Sequence, residues 1–333
     1  MISNRLLIVG AGDIAQRALP LLTGRHEVHA MARTPERARD LARLGVRSFV
    51  ADLDQLPGSE ALPRAALLLH AAPPQSEGSA DNRTRALLAA LDAQSFPLRR
   101  LVYIGTSGVY GDCAGEEVDE SRPLRPATPR AQRRADAEAV LIEWCARHKV
   151  ALVILRAPGI YGGGRWPVER VRAGTPVLAR EDDVYTNHIH ADDLAGICAR
   201  ALEENAPPGV YNASDDSEIL MGDWMDAVAD HFKLPRPPRI SRAEAKDKIP
   251  AGLLSFMSES RRLVNTKVKS QLGYHLRYPT VHEGLAAASL DVSSVTGRAA
   301  AASRGQSGSS GVDKSTGAEA PGLENRPASG QSS

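Results

Sequence analysis

Residues 5–15 read RLLIVGAGDIA, and this stretch decides the fold of the chain. The apolar run of residues 6–9 is typical of a buried strand, and Gly10, Gly12 and Ala15 follow it at once. Gly10 permits a tight turn, Gly12 lets the backbone approach a pyrophosphate, and Ala15 lets the next helix pack closely against the strand. The first amides of that helix then point at an anion. The pattern predicts a dinucleotide-binding strand–turn–helix unit; the alternative is an ordinary turn between strand and helix without a ligand.

Strand-like and helix-like segments alternate from this unit onward. Such alternation indicates an α/β fold, a Rossmann-like doubly wound parallel sheet, which we expect over residues 1–156. The expected strands are Arg5–Val9, Glu27–Met31, Val46–Val50, Ala65–His70, Arg100–Ile104 and Val150–Leu155. The expected helices are Asp13–Thr23, Pro35–Leu44, Ala80–Ala93 and Ala131–Arg147.

The pattern of the sequence changes after about residue 156, where the strand-like and helix-like segments become shorter and are separated by Pro and Gly. We expect strands at Asn187–His190 and Gly209–Asn212, a helix from Asp192 and a helix at Met221–Phe232. Residues 157–289 are therefore predicted to form a smaller C-terminal α/β substrate lobe, interleaved with the first domain, with the substrate crevice between them. Residues 290–333 are rich in Ser, Gly and Ala and are predicted to form a disordered tail, because they cannot bury enough apolar surface.

Composition excludes several classes of protein. The chain has 333 residues, 42% of them hydrophobic, and its 41 Lys and Arg balance 40 Asp and Glu, so nothing favours nucleic-acid or membrane partners. The cysteines Cys113, Cys145 and Cys198 are widely spaced, which favours reduced thiols in a cytoplasmic protein, and the first residues lack a charged-then-apolar leader. No apolar run is long enough to span a membrane, no spacing predicts a metal site, and no GxSxG motif supports a hydrolase.

Seven segments carry a family resemblance, and the first of them belongs to the opening stretch. They are GAGDIA (10–15), ADL (51–53), HAAPP (70–74), IGTSGVYGD (104–112), LRAPGIYG (155–162), HIHADDLA (188–195) and LGYHLRYPTVHEGL (272–285). In this order they resemble the extended short-chain dehydrogenase/reductase superfamily and, more closely, the NAD-dependent epimerase/dehydratase family, over about residues 5–285. The resemblance implies a cofactor site formed by Gly10, Gly12, Asp13, Ile14, Ala15, Asp52, Leu53, Ala71, Ala72, Thr106, Pro158, Gly159 and Ile160.

The chain departs from this family at the catalytic pair. The family uses a Tyr and, four residues later on one helix, a Lys that favours the phenolate. In PATPRAQRRADAE (126–138), aligned on Glu138, Arg130 occupies the Tyr position and Arg134 the Lys position. Arg130 cannot release its proton and so cannot be the acid/base. Arg134 is expected to bind a ribose hydroxyl or phosphate as the Lys does, so the chain resembles an atypical branch without the standard pair.

Two hydroxyl side chains near the end of the fifth predicted strand are the remaining catalytic candidates. Thr106 aligns with the family's catalytic Ser/Thr, where it would hold a substrate oxygen; the alternative is local capping of backbone. Tyr110 is the candidate for a replacement acid, although in the family this Tyr more often shapes the loop. His188 and His190 alternate on a predicted strand, and structural roles are favoured over catalytic ones for both.

The residue after the second predicted strand bears on cofactor choice. Arg33 lies about 20 residues beyond Gly10, where NAD enzymes often carry an acid, and an Arg there accommodates a 2′-phosphate. We therefore expect NADP in preference to NAD; the alternative is a solvated Arg at the start of a helix. Asp52 either holds the adenine region or is a plain loop residue.

These residues lead to two hypotheses about function. The first is an NAD(P)-dependent oxidoreductase or epimerase/dehydratase-like enzyme, acting on a small carbonyl or sugar-like substrate by a non-standard acid/base arrangement. The alternative is a non-catalytic NADP-binding sensor or regulatory protein, and a scaffold that binds no nucleotide forms a third class. The resemblance also implies a homodimer through helices beside the active-site helix, although Arg130, Arg133 and Arg134 crowd that region.

Overall fold

A computed structural model describes residues 4–56, 62–94 and 97–288, and it confirms the predicted α/β class. The strands are β1 (Arg5–Val9), β2 (Glu27–Ala32), β3 (Arg47–Val50), β4 (Leu67–His70), β5 (Arg100–Thr106), β6 (Glu117–Val118), β7 (Ala151–Ala157), β8 (Gly159–Tyr161), β9 (Val177–Leu178), β10 (Tyr185–Thr186), β11 (His188–His190), β12 (Gly209–Asn212), β13 (Ile219–Leu220), β14 (Arg239–Ile240) and β15 (Arg262–Leu263).

Eleven α-helices lie in the described residues, and side-chain caps fix where several of them begin. They are α1 (Asp13–Leu22), α2 (Pro35–Arg43), α3 (Asn82–Ala93), α4 (Pro129–His148), α5 (Val168–Arg172), α6 (Ala191–Ala201), α7 (Met221–His231), α8 (Arg242–Lys248), α9 (Ala251–Leu254), α10 (Thr266–Ser270) and α11 (Val281–Ala286). The side chains of Thr34, Asp81 and Thr128 accept hydrogen bonds from the first turns of α2, α3 and α4, which fixes where these helices begin.

Within the described residues, seven parallel strands form the central sheet in the order β12-β7-β5-β4-β1-β2-β3. The chain moves outward from β1 in one direction and returns to β4 on its other side. The order therefore reverses between β1 and β4, and in such sheets ligands bind at the carboxyl ends of the strands beside this reversal.

Alternate residues of the buried strands supply two separate cores, one on each face of the sheet. In β1, Leu6 and Ile8 pack beneath α1 and α6, whereas Leu7 and Val9 face the core beneath α3 and α4. Burial on both faces explains why strands such as β1 and β4 are continuous apolar runs. The cores fix the carboxyl ends of the strands as a rigid edge.

The structure corrects the expected position of Gly209–Asn212. Sequence analysis assigned this strand to the second part of the chain, but β12 pairs in parallel with β7 and is the edge strand of the central sheet. Several elements are longer than predicted. Strands β5 and β7 end at Thr106 and Ala157, and α4 begins at Pro129 instead of Ala131.

Helices α6 and α10 pack on one face of the sheet, whereas other C-terminal elements meet the ends of β5 and β7. The short strand β8 pairs in parallel with β11, and a third apolar cluster unites Tyr161, Val168 and Val171 with Trp224 of α7 and Val281 of α11. The predicted disordered tail, residues 290–333, lies outside the described residues. In the described part of the chain, no helix is long and apolar enough to cross a membrane.

Candidate functional site

The turn after β1 passes so close to the end of β4 that Gly10 is required there. Gly10 has a φ of +89°, and a Cβ at this position would lie 2.2 Å from the backbone nitrogen of Ala72. Gly12 differs, because a Cβ there would meet nothing within 4 Å and its backbone has an ordinary negative φ. The turn is therefore packed against protein on one side and open on the other.

The open side is the start of α1. Gly12 is the N-cap residue of α1 and contributes no side-chain cap, so the first amides of the helix have no partner of that kind. Ile14 and Ala15 are buried with their side chains toward the core, which leaves their backbone amides to face an anion. This arrangement fits a pyrophosphate.

The carboxylate of Asp13 lies at the same helix start, where two arginines compensate its negative charge. Burial acts to raise its pKa, but hydrogen bonds from Arg165 and Arg17 outweigh that effect and lower it. The Nε atoms of Arg165 and Arg17 lie 2.8 and 3.0 Å from the Asp13 carboxylate. The Asp13 charge is thus compensated, and the pair with Arg165 ties the loop after β8 to α1.

A cleft of about 250 Å³, which we call the first cleft, extends from this turn across the ends of β2 and β3. It brings together seven of the residues singled out from the sequence. They are Gly10, Gly12, Arg33, Asp52, Leu53, Ala71 and Ala72. Asp13, Ile14 and Ala15 adjoin it along α1 but are not among the residues that line it.

Three arginines line the first cleft, Arg33, Arg37 and Arg83, and Arg83 is paired with Asp54. Arg33 is largely exposed and its Nε lies 3.5 Å from the Asp52 carboxylate, while Arg37 donates a hydrogen bond to the Ala11 carbonyl at 3.1 Å. Sequence reasoning missed Arg37, which lies one helical turn after Arg33 in the first turn of α2. The signal in the sequence was the position of Arg37, which lies three residues after the N-cap Thr34 and therefore in the first turn of the helix next to Arg33.

A second and larger cleft, of about 680 Å³, lies where the ends of β5 and β7 meet the C-terminal elements. Thr106, Pro158, Gly159 and Ile160, all singled out from the sequence, line this second cleft. Because β7, β5, β4 and β1 are neighbours in the sheet, the two clefts lie along one edge on either side of the strand reversal. An extended dinucleotide with a substrate beyond it fits this arrangement.

Thr106 and Tyr110 have different surroundings, although they are four residues apart. Thr106 is partly exposed to the second cleft, and its hydroxyl accepts a hydrogen bond from the Gly108 amide at 3.2 Å. The Tyr110 hydroxyl is buried, accepts from Arg156 at 2.8 Å and donates to the Asn212 side chain at 2.7 Å. Burial raises the pKa of Tyr110 to about 12. Tyr110 lines neither cleft, which argues against the role of acid expected for it.

The two arginines at the positions of the catalytic pair lie in different surroundings, since only Arg130 lines a cleft. The Arg130 guanidinium lines the second cleft and stacks on the Phe256 ring, 4.1 Å from its centroid. Arg134 lines neither cleft; its Nη1 donates to the Tyr103 hydroxyl and to the Ile104 carbonyl, both at 3.1 Å. Arg134 therefore holds α4 against β5 with at least one of its terminal nitrogens.

The two histidines of β11 take up different positions. His190 accepts a hydrogen bond from the Asp192 amide through Nδ1 and thereby caps α6. His188 lines the second cleft, its Nε2 has no hydrogen-bond partner among the described residues, and burial lowers its pKa to about 3. His188 is therefore neutral at physiological pH, while His190 has a capping role.

Comparison with known proteins assigns the chain to a family. Residues 7–214 match the sequence model of the NAD dependent epimerase/dehydratase family. The chain is 26% identical over 144 residues to a human dTDP-D-glucose 4,6-dehydratase, and the match covers 41% of each protein, so the chain spans about two fifths of that relative. It is 24% identical over 302 residues to a 3-diazoavenalumate denitrifying reductase from Streptomyces sp, which covers 84% of this chain and 99% of the reductase.

The solved structures include a similar protein of unknown function. The structure of a functionally unknown conserved protein from Silicibacter pomeroyi superposes with a TM-score of 0.73 and 29% identity, over 86% of this chain and 98% of that one. The likeness thus extends through the C-terminal elements that enclose the second cleft.

Proposed function

The chain belongs to the NAD-dependent epimerase/dehydratase family, and from this premise we propose that it is an NAD(P)-dependent oxidoreductase acting on a small carbonyl or sugar-like substrate. The observation that carries the proposal is the pair of clefts along one sheet edge, the first at the glycine turn and the second at Thr106 and residues 158–160. The residues present fit a dinucleotide, because Gly12 leaves space at the start of α1 and Gly10 closes the other side of the turn.

Each part of the cradle has a separate task. The amides at the start of α1 would hold the pyrophosphate, Asp52 and Leu53 the adenine end, and residues 158–160 the nicotinamide end. A nicotinamide held there would supply the hydride. Reduction of a substrate carbonyl would also need a proton at the carbonyl oxygen.

The missing catalytic pair limits how that proton arrives. The Thr106 hydroxyl would orient the substrate oxygen, but neither a threonine nor Arg130 releases a proton near neutral pH. We therefore assign the proton to water in the second cleft. Similarity over 84% of this chain to a protein named as a reductase supports hydride delivery to the substrate as the direction of reaction.

We expect Thr106→Ala and Tyr110→Phe to have opposite effects. Thr106→Ala should lower kcat by about 100-fold, as loss of one oxyanion-orienting donor does, and lower stability by only about 1 kcal/mol, because the Gly108 amide loses its hydrogen bond. Tyr110→Phe should leave kcat unchanged and lower stability by roughly 1–3 kcal/mol, because Arg156 and Asn212 lose a buried partner. Absorbance at the nicotinamide band and a thermal melt measure the two effects; a large loss of kcat in Tyr110→Phe at unchanged stability would restore Tyr110 as the acid.

We propose NADP as the preferred cofactor because three arginines line the first cleft, and two of them, Arg33 and Arg37, lie beside the end of β2, while Arg83 is paired with Asp54. Arg33→Ala should weaken NADPH binding by about 10- to 100-fold, the loss expected for charge-assisted hydrogen bonds to a phosphate, and leave NADH binding unchanged. Calorimetric titration with both coenzymes measures this. Arg39→Ala, an exposed change on the neighbouring helix α2 that does not line the first cleft, is the control. Equal losses for NADPH and NADH would count against a 2′-phosphate contact.

One observation favours the alternative of a non-catalytic NADP-binding sensor, namely that arginines occupy both positions of the catalytic pair. The two functions are separated by incubating the NADPH-bound protein with a panel of carbonyl compounds and nucleotide sugars. Oxidation of the coenzyme that Thr106→Ala abolishes would exclude the sensor. Tight binding of NADPH without turnover across the panel would support it.

A further inference from the structure

The second cleft holds more positive than negative charge. Four guanidinium groups line it, those of Arg130, Arg165, Arg170 and Arg261, against the single carboxylate of Glu259. Arg165 pairs with Asp13 at 2.8 Å and Arg261 pairs with Glu259 at 2.9 Å. Among the described residues, Arg130 and Arg170 have no ion-pair partner. Asp183 and Glu259 act on the charges of Arg170 and Arg130 without a direct ion-pair contact.

Arg170 leaves a specific set of donors unused. Its Nε and Nη2 are buried and have no hydrogen-bond partner among the described residues. These two N–H groups point in parallel and form one edge of the guanidinium fork, which matches the two oxygens of a carboxylate. A buried polar group without a partner is unfavourable, so a ligand that satisfies both donors is favoured at this position.

The same edge already binds carboxylates elsewhere in this chain. Arg83 uses Nε and Nη2 to hold Asp54, and Arg236 uses the same two atoms to hold Asp230. Arg156 holds Glu138 through this edge as well, at 3.2 and 2.8 Å. Arg170 presents the edge without the acid.

The other residues that line the second cleft indicate the character of the ligand beyond its acidic group. Large apolar and aromatic side chains form much of the wall, and they include Tyr185, Met221, Trp224, Met225 and Phe256. Arg130 stands exposed on the Phe256 ring and adds a second cation. A flat apolar body with an anionic end fits these walls.

We infer that the substrate of the proposed oxidoreductase is an organic acid with a flat, apolar body, whose carboxylate is held by the Nε–Nη2 edge of Arg170 and attracted by Arg130. This inference rests on the proposed function and adds the substrate class to it. Because the edge is covered in this structure, binding requires a side-chain rearrangement in the wall of the second cleft. Such an edge holds either a carboxylate or a phosphate, and the apolar walls of the second cleft favour an acid with an apolar body over a sugar nucleotide.

The test measures binding, so that it does not depend on turnover. The full chain, loaded with NADPH, is titrated by calorimetry with trans-cinnamate, with the neutral cinnamamide and with UDP-glucose. The variants are Arg170→Gln, Arg170→Lys and Arg130→Gln, and the matched control is Arg172→Gln, an arginine of the same helix that pairs with Glu169 and does not line the cleft.

We expect cinnamate to bind and cinnamamide not to bind. Arg170→Gln and Arg170→Lys should each weaken cinnamate binding by about 10-fold or more, because lysine keeps the charge but not the parallel donors. Arg130→Gln, an exposed change that should not disturb folding, should weaken it by a smaller factor, and Arg172→Gln should leave it within about twofold.

Three results would overturn the inference. They are equal binding of cinnamate and cinnamamide, cinnamate binding that survives both Arg170→Gln and Arg130→Gln, and binding of UDP-glucose that depends on Arg170 while cinnamate does not bind. A wild-type protein that binds cinnamate but not NADPH or NADH would instead contradict the proposed function, so the two failures are distinguishable.

Discussion

A Gly12→Trp variant should fold as the wild type does and lose affinity for NADPH and NADH by roughly 100-fold or more. The reason lies in the difference between the two glycines of the turn. A Cβ at Gly12 meets nothing within 4 Å and its φ is ordinary, so an indole there points into the space at the start of α1 without displacing protein atoms. That same space is the proposed pyrophosphate site, and a large side chain blocks the approach to the backbone amides.

The measurement compares coenzyme titrations with thermal melts. A coenzyme present at 100 times its dissociation constant stabilises the wild type by about 2.7 kcal/mol, and this gain should vanish in Gly12→Trp. Gly24→Trp is the matched control, because Gly24 follows the far end of α1 and also has no atom within 4 Å of a Cβ. Should Gly12→Trp retain wild-type affinity, the pyrophosphate does not lie at this helix start.

Gly10→Ala should show the reverse pattern, with loss of stability in the absence of any coenzyme. Its φ of +89° is strained for alanine, and the added carbon would lie 2.2 Å from the Ala72 nitrogen, a backbone atom that cannot move away cheaply. We expect a loss of at least about 1–3 kcal/mol in urea unfolding, against a negligible change for Gly12→Ala. The pair separates the structural glycine of the turn from the one that leaves room for a ligand.

The sequence predicts the sheet well because local signals coincide there. The apolar run of β1, the glycines after it and the caps at Thr34 and Thr128 each define one end of an element within a few residues. Such signals depend on neighbours along the chain, and they predicted β1 to β5, β7, α1 to α4 and the confirmed α/β class, but not the short strand β6. They do not depend on where distant segments meet.

Non-local packing accounts for the errors. Gly209–Asn212 reads as a short strand of a separate lobe, but its pairing with β7, more than 50 residues earlier, makes it a sheet edge. Tyr110 reads as a candidate acid because of its position near Thr106, whereas its hydroxyl binds Asn212 and Arg156 and it lines neither cleft. The unused edge of Arg170 has no sequence signature, because every arginine carries the same donors and only the fold decides which have an acid.

Glu138→Ala should destabilise the protein by about 3–5 kcal/mol, since it leaves the Arg156 guanidinium buried without its carboxylate. The two side chains are 2% and 6% exposed, and Arg156 donates to Glu138 through Nε and Nη2. The pair joins α4 to β7 beneath the second cleft, and α4 carries Arg130 and Arg134. Loss of the pair should therefore also disturb the wall of that cleft, which urea unfolding and cofactor titration would measure together.

Arg156→Met should be less harmful than Glu138→Ala, and its effect should depend on pH. Burial already raises the pKa of Glu138 despite the guanidinium, so without Arg156 the carboxyl can take up a proton and become neutral, whereas a buried arginine cannot lose one. A carboxyl whose pKa is higher in the folded state binds more protons there, so the stability of Arg156→Met should fall as the pH rises through that pKa. Glu138→Ala should lack this slope.

The double variant Glu138→Leu with Arg156→Met completes the test. Removal of both charges abolishes the desolvation penalty together with the attraction, and apolar replacement of a buried pair is often neutral or stabilising. We expect the double variant to be at least about 2 kcal/mol more stable than Glu138→Ala, although the Tyr110 hydroxyl still loses its Arg156 donor. Urea unfolding of these variants and of Glu138→Leu alone measures these differences. If the losses of Glu138→Leu alone and Arg156→Met alone simply add in the double variant, the two side chains do not stabilise the fold as a pair.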